Sequence, residues 1–285
     1  MKFSLHVRNV SADYLAKAEE IVIEYRDREI IPEYAEKYPD AQLVLDVPTD
    51  TRWNFNEIKE YFILSKNKLT ICLPDMWDEN LPLLIKNQIP FFWSYTIKTF
   101  WELHAMINIG ASQVRIGAPL FFQCDKLKSF NIEKRICPNI AHEGYLPGVD
   151  GIVGSWIRPE DLCEYEEVFD TVEFADCGQN HKEEALYRIY AEQKVWPSQL
   201  NMIISNIDSE AYNRMIRNEF IIARKNCGQR CLSGGACRIC HRALHLANPE
   251  LIHDYLKRTG QEEDKGKDMP TSQFEENLIE EEKHS

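Results

Sequence analysis

Four cysteines lie close together in the last third of the 285-residue sequence, in the spacing C-x3-C-x5-C-x2-C. They are Cys227, Cys231, Cys237 and Cys240. The amino-terminal residues contain no long apolar run typical of a signal peptide or a membrane span, so we expect a cytoplasmic protein with reduced thiols. Clustered reduced thiols are typical of a metal or cluster site rather than of disulfides. The spacing therefore predicts that the four sulfur atoms converge on one inorganic centre.

The residues around these cysteines favour metal ligation. Gly234 and Gly235, in the stretch CLSGGAC, allow the chain to reverse sharply between the second and third thiols. Positive charge favours thiolate over thiol, and four basic residues lie nearby: Lys225, Arg230, Arg238 and Arg242. Four thiolates suit a structural zinc ion, and they equally suit an iron–sulfur cluster. The spacing leaves both open, but it does not match the C-x3-C-x2-C triplet of radical-SAM barrels, which lies early in the chain.

Short apolar runs alternate with helix-like stretches over residues 1–180, which predicts parallel strands joined by crossover helices. Eight runs are predicted strands: residues 2–7, 42–47, 69–73, 90–95, 113–118, 134–140, 151–156 and 171–176. Helices are predicted to begin at Ser11 and Thr96, the second of them ending at Gly110. Eight repeats predict a TIM-like (β/α)8 barrel. Because the connection 140–149 is shorter than a parallel crossover normally needs, we expect some barrel helices to be shortened or missing.

The remainder of the chain divides into two further segments. Residues 181–259 are predicted to form a helical extension that carries the four-cysteine site. Residues 260–285 are polar and acidic, with nine Asp or Glu residues against three Lys residues beyond position 260. This composition cannot form a core, so it predicts a disordered tail that could bind a protein partner.

A barrel of this class places its chemistry at the carboxyl ends of the strands. The polar and aromatic residues in or just beyond those ends are Asp46, Asp75, Tyr95, Arg115, Asn139, Trp156 and Glu173. An arginine lining a barrel needs a carboxylate partner. We therefore predict that Arg115 and Glu173 meet in the barrel mouth. Trp156 and Arg158 either stack on a planar ring or cover the end of the barrel.

Three stretches together resemble the U32 family, the so-called collagenase-like peptidases: NIGASQVRIGAPLFF (108–122), GIVGSWIRPEDLCEYE (151–166) and the cysteine segment. They occur in the order of comparable features in that family, and the resemblance covers roughly residues 1–245. It implies a TIM-like barrel whose four cysteines hold a [4Fe–4S] cluster. It also implies hydroxylation of RNA bases or of a quinone precursor. Nothing in the sequence supports proteolysis, since it has neither an HExxH zinc motif nor a G-x-S-x-G elbow.

Two functions follow as expectations. The first is a U32-like iron–sulfur enzyme with redox or hydroxylation chemistry on a planar substrate, with Arg115, Glu173 and Trp156 as candidate catalytic residues. The second is a non-enzymatic barrel in which the four cysteines form a structural zinc knuckle and the acidic tail binds a partner. The net charge of -13 argues against non-specific binding to nucleic acid, although a local basic groove could still accept RNA. We expect no membrane partner.

Overall fold

A computed structural model describes residues 1–49, 51–117, 120–138, 157–174 and 182–194. All of them belong to the first of two compact units, residues 1–248. The four clustered cysteines, Asn139, Trp156, the strand predicted at 151–156 and the acidic tail lie outside the described residues.

Nine parallel strands form one sheet. They are β1 (Lys2–His6), β2 (Glu20–Glu24), β3 (Gln42–Asp46), β4 (Leu69–Leu73), β5 (Phe91–Trp93), β6 (Thr96–Ile97), β7 (Gln113–Ile116), β8 (Glu133–Ile136) and β9 (Thr171–Val172). Their order across the sheet is β5-β4-β3-β2-β1-β9-β8-β7-β6. The two edge strands, β5 and β6, are separated in sequence only by Ser94 and Tyr95. The sheet therefore curls into a nearly closed barrel with eight positions around its axis, one of them shared by β5 and β6.

Helices lie between successive strands, except between β5 and β6, and one follows β9. The α-helices are α1 (Ala12–Leu15), α2 (Ile31–Lys37), α3 (Phe55–Leu64), α4 (Leu81–Lys86), α5 (Phe100–Ile109), α6 (Cys124–Leu127) and α7 (Lys182–Ala191). The 3₁₀ helices are Tyr25–Ile30, Leu120–Phe122 and Pro159–Tyr165. Most of these segments are short, which agrees with the prediction that some barrel helices are shortened. The TIM-like α/β fold is thus confirmed over the described residues.

The strands on one side of the barrel are apolar on both faces because both faces are covered. In β4 all five residues are buried, and in β3 the central Leu43, Val44 and Leu45 are buried. On the inner face, Val22, Val44, Cys72 and Phe92 form a buried cluster. This apolar cluster fills the part of the interior beside β2–β5.

The helix predicted from Ser11 through residue 27 is wrong beyond its first turn. Only Ala12–Leu15 is α-helical, and Glu20–Glu24 is the strand β2. Ile21, Val22 and Ile23 are β-branched and fully or nearly fully buried. Such side chains favour a pleated strand with neighbours on both sides, and β2 pairs with both β1 and β3.

The helix predicted from Thr96 begins later than expected, because Thr96 and Ile97 form the strand β6. Thr99 caps α5, and its hydroxyl accepts the amide N–H of Glu102 while that carboxylate accepts the amide N–H of Thr99. The predicted end of the helix at Gly110 is confirmed, since Gly110 adopts the left-handed conformation with φ 98°.

No helix in the described part of the chain is long and apolar enough to cross a membrane.

Candidate active site at the carboxyl end of the barrel

The centre of the barrel interior is charged, and Arg135 on β8 organises it. Its guanidinium donates to both carboxylate oxygens of Glu20 (2.9 and 2.5 Å), to Gln113 Oε1 (2.7 Å), to Ser4 Oγ (3.1 Å) and to Glu173 Oε2 (3.1 Å). These five bonds use all five N–H groups of the side chain. The side chains of Arg135 and Glu20 are each only 1% exposed. Arg135 is therefore a fully satisfied interior group with nothing left to offer a ligand.

Arg115 and Glu173 meet, as the sequence predicts. Arg115 forms a two-pronged ion pair with the carboxylate, in which Nε donates to Oε1 and Nη2 donates to Oε2 at 3.0 Å. Its Nη1 donates to the carbonyl oxygen of Ser94 at 2.5 Å. Their catalytic role remains a prediction.

Glu173 is shared by two arginines. Its Oε2 accepts from both Arg115 and Arg135. Burial raises the pKa of this carboxyl, but the charges of Arg115 and Arg135 outweigh burial and lower the pKa from 4.5 to about 2. Glu173 is therefore ionised throughout the neutral range and holds the guanidinium of Arg115 in one orientation.

Of the two interior arginines, Arg115 is the more accessible. Its side chain is 19% exposed, whereas that of Arg135 is 1% exposed. Three of its N–H groups are used, which leaves two without a partner among the residues that the structure describes. Arg115 can therefore donate two further hydrogen bonds at the mouth of the barrel.

His6, at the end of β1, forms a second polar group in the mouth. Its Nδ1 lies 3.0 Å from Oε1 of Glu183, a residue of α7. The same carboxylate accepts the backbone N–H of His6 at 2.8 Å and the side-chain N–H of Asn9 at 2.7 Å. Glu183 is completely buried, while the His6 side chain is 31% exposed. The imidazole of His6 therefore contacts the buried carboxylate of Glu183 on one side and is accessible from the barrel mouth on the other.

The electrostatic surroundings of His6 favour its charged form. Burial lowers the pKa of the imidazole, but the hydrogen bond and charge of Glu183, with smaller effects of Asp46 and Glu173, raise it above 6.5 overall. Asp46 ends β3 and also lies beside the thiol of Cys72. Burial raises the pKa of that thiol far above its usual range, so Cys72 is a protonated, apolar filler.

Other predicted strand-end residues take structural roles. Asp75 accepts the backbone N–H of Trp77 at 3.0 Å, which fixes a turn. Tyr95 donates to Glu102 at the start of α5. Arg158 forms a two-pronged ion pair with Asp161, which favours the covering role over stacking for this residue.

Sequence reasoning missed His6 and Glu183. The histidine lies at the carboxyl end of a predicted strand, so the same rule that selected Arg115 could have found it. Glu183 carries no local signal, because it belongs to a helix 177 residues away from its partner in sequence.

A depression of about 390 Å³ lies at the opposite end of the barrel, beside Ser112, Glu133, Lys134 and Asp170. These residues precede or begin strands β7, β8 and β9. Lys134 donates there to two backbone carbonyls, those of Phe130 and Ile132. Because the amino-terminal end of a barrel normally serves stability, we assign no substrate to it.

No group of three or more His, Cys, Asp or Glu side chains that could hold a metal occurs among the described residues. His6, Asp46, Glu173 and Glu183 are therefore not arranged as a metal site.

No family model matches the chain, and no curated protein matches it. Several solved structures resemble it, and three of them each have a TM-score of 0.38. One is a cube-shaped protein cage designed by fusing symmetric oligomeric domains (12% identity, covering 98% of this chain and 99% of that one). The others are a 4-hydroxy-2-oxoglutarate aldolase from TTHB1 (11%; 67% and 90%) and a Gox0644 mutant in complex with NADPH (13%; 71% and 88%). At this similarity they bear on neither substrate nor cofactor.

Proposed function

We propose that this chain is a cytoplasmic, U32-like iron–sulfur barrel enzyme with redox or hydroxylation-type chemistry on a planar substrate, such as an RNA base or an aromatic precursor. The four clustered cysteines carry the iron–sulfur part of the proposal, and the charged barrel mouth, formed by Arg115, Glu173 and His6, supports the substrate site.

The energetics of burial favour a functional interior over an inert scaffold. Barrel interiors are commonly filled with branched apolar side chains. Here Arg135, Glu20 and Glu173 are almost completely buried, with Arg115 beside them. Buried ion pairs are often no more stabilising than well-packed apolar residues, because desolvation offsets the attraction between the charges. Stability alone does not require this charged arrangement, so its expected role is to position Arg115 for a ligand.

The residues of the mouth suit a flat, polar ligand. Arg115 has two N–H groups to offer a carbonyl or other acceptor in the plane of its guanidinium. Glu173 fixes that plane through its paired bonds. Trp156, which lies outside the described residues, is the proposed stacking partner for such a ring.

The cysteine segment supplies the number and type of ligands that a four-iron cluster needs. Four thiolates from Cys227, Cys231, Cys237 and Cys240 would hold it. When bound, such a cluster supplies one-electron transfer at a potential set by its surroundings. A structural zinc ion is the competing occupant, and in that case the chain would be the non-enzymatic interaction protein.

The test is anaerobic purification of the full chain followed by elemental analysis for iron, sulfide and zinc. We expect a brown protein with iron and inorganic sulfide in near-equal amounts. Substituting Cys231→Ser or Cys237→Ser should remove most of the iron and the visible absorption. Cys163→Ser is the matched control, because Cys163 is an exposed thiol outside the segment, and it should retain both.

The metal that is found decides between the two functions. A colourless protein with stoichiometric zinc, lost in the same two variants, would replace the enzyme proposal with the zinc-knuckle alternative. A protein with neither metal would overturn both.

A further inference from the structure

The pairing of His6 with a completely buried carboxylate has a consequence for proton transfer. Glu183 accepts three N–H groups, two from His6 and one from Asn9, at 2.7–3.0 Å. A carboxylate in this arrangement is an acceptor, so Nδ1 of His6 must carry the hydrogen. In the neutral ring, Nε2 then holds the free electron pair.

Nε2 is the nitrogen left for a ligand. It makes no hydrogen bond to any residue that the structure describes, and the His6 side chain is 31% exposed. The charged groups that face His6 are Glu183 from α7, Asp46 from β3 and Glu173 after β9. All three are carboxylates, so they stabilise a positive charge that appears on the imidazole when Nε2 takes a proton.

We propose that His6 is the catalytic acid–base residue of the barrel mouth, oriented by Glu183 and presenting Nε2 to a substrate with an acidic N–H, O–H or polarised C–H group. This rests on the proposed function in placing the substrate at the mouth. In the forward step, Nε2 forms a bond to the substrate proton, and the electron pair of the broken bond stays on the substrate. The imidazolium, stabilised by Glu183, returns the proton in the reverse step.

The first test follows the imidazole of His6 by NMR in the full chain with isotope-labelled histidine. We expect the neutral ring to carry its hydrogen on Nδ1. Glu183→Gln keeps an acceptor but removes the charge, so it should lower the titration midpoint by about one pH unit, the scale on which an adjacent charge acts. Glu184→Gln is the matched control, because Glu184 accepts from the amide of Ser11 instead and should leave the midpoint unchanged. A hydrogen on Nε2, or a midpoint indifferent to Glu183→Gln, would overturn the proposal.

The second test measures proton abstraction with a planar probe, nitrobenzisoxazole. A base removes its ring C–H proton, and the electron pair of that bond completes a nitrile. The N–O bond breaks, its electron pair stays on the oxygen, and the coloured phenolate product is recorded. His6→Asn keeps a donor to Glu183 but has no Nε2. We expect the rate of His6→Asn to be at least about tenfold lower than that of the wild type. The loss should be smaller than the ~10²–10⁴-fold effect of a positioned base on its own substrate, because the probe is not that substrate. The wild-type rate should rise with pH through the NMR midpoint. Equal rates in the two proteins would contradict an acid–base role.

The iron content of the protein and the behaviour of His6 test the two proposals independently. His6→Asn should keep the iron content and visible absorption of the wild type, because His6 lies outside the cysteine segment. A protein without iron in which His6 behaves as expected would overturn only the iron–sulfur assignment. An iron-containing protein with an inert His6 would overturn only the acid–base role.

Discussion

Arg135 shows how far one buried side chain determines the barrel interior. Its five hydrogen bonds join β8 to Ser4, Glu20, Gln113 and Glu173. Its guanidinium also lies 4.7 Å from the centre of the Phe92 ring, which adds a cation–π contact. Through Glu173, the same side chain helps to orient Arg115.

Replacing Arg135 with Met should destabilise the fold strongly, because Glu20 and Glu173 would keep buried charges without this partner. We expect a loss of about 3–5 kcal/mol in the free energy of unfolding, measured by chemical denaturation. Arg26→Met is the control, because Arg26 forms a surface pair with Glu24 and its side chain is 59% exposed. That change should cost less than about 1 kcal/mol. Similar losses in the two variants would show that the interior network is not important for stability.

The lowered pKa of Glu173 predicts that the fold loses stability in acid. Its pKa is lowered from 4.5 to about 2, so its contribution to stability is present above its unfolded pKa and is lost as the pH falls from about 4.5 towards 2. A shift of this size corresponds to roughly 3 kcal/mol. Glu173→Gln should be less stable than wild type at neutral pH and should show a flatter loss of stability across that window.

The control for this titration is Glu36→Gln, since Glu36 is an exposed residue of α2. It should follow the wild-type pH dependence of unfolding. If the free energy of unfolding of Glu173→Gln falls with decreasing pH as it does in the wild type, the charge of Glu173 does not cause the acid sensitivity.

The contact between Arg115 and Glu173 could be predicted from sequence because both residues follow a simple rule of position. Each lies near the end of a predicted strand, and charges inside a barrel must be paired. Arg135 was missed although it lies directly opposite Arg115 in the pairing of β7 with β8, so the same rule could have selected it. Its partners Glu20 and Ser4 come from strands more than a hundred residues away, so no local pattern connects them.

At the scale of the secondary-structure elements, the backbone at Gly117, which directly follows β7, passes close to the side chain of Thr96 on β6. A Cβ atom added at Gly117 would lie 2.4 Å from Cγ2 of Thr96. This approach is part of the junction where β5 and β6 close the barrel. A larger residue at position 117 would therefore force the side chain of Thr96 to shift.

Gly117→Ala should cost roughly 1–3 kcal/mol in the free energy of unfolding, the usual scale of overpacking. Adding Thr96→Ser removes the offending methyl group and should restore much of the loss, which a double-mutant cycle measures. Purely additive effects of the two changes would contradict the close contact.

The missed strand β2 shows why element type was only partly predictable. Residues 11–27 contain Ala, Leu and Glu at helix-compatible spacing, and short apolar runs do not distinguish helix from strand by periodicity alone. The decision comes from tertiary pairing, since β2 lies between β1 and β3. The capping box at Thr99 and the stop at Gly110 are local signals, and the end of α5 was accordingly predicted correctly.

At the scale of the whole molecule, the barrel class followed from the strand–helix alternation even though individual strands were missed or shorter than predicted. Parallel strands with short crossovers have few other ways to cover both faces. The charge balance is a separate property. The chain carries a net charge of -13, yet the accessible cation Arg115 lies in the mouth of the barrel.

This contrast predicts how an anionic substrate would bind. Its association should strengthen as salt is added, because salt screens the long-range repulsion from the exposed acidic groups more than the close, partly buried contact with Arg115. Fluorescence titration with a mononucleotide at low and high ionic strength would test this. Arg115→Gln should abolish binding at both ionic strengths, and binding unchanged in that variant would place the anion elsewhere.

The central claim is that the cysteine segment holds an iron–sulfur cluster in a barrel with a charged mouth. The most direct measurement is a Mössbauer spectrum of the full chain, produced with isotope-enriched iron and isolated without oxygen. We predict the spectrum of a [4Fe–4S] cluster, lost when Cys227, Cys231, Cys237 and Cys240 are replaced together by Ser. A protein with no iron signal and one bound zinc ion per chain would contradict the claim.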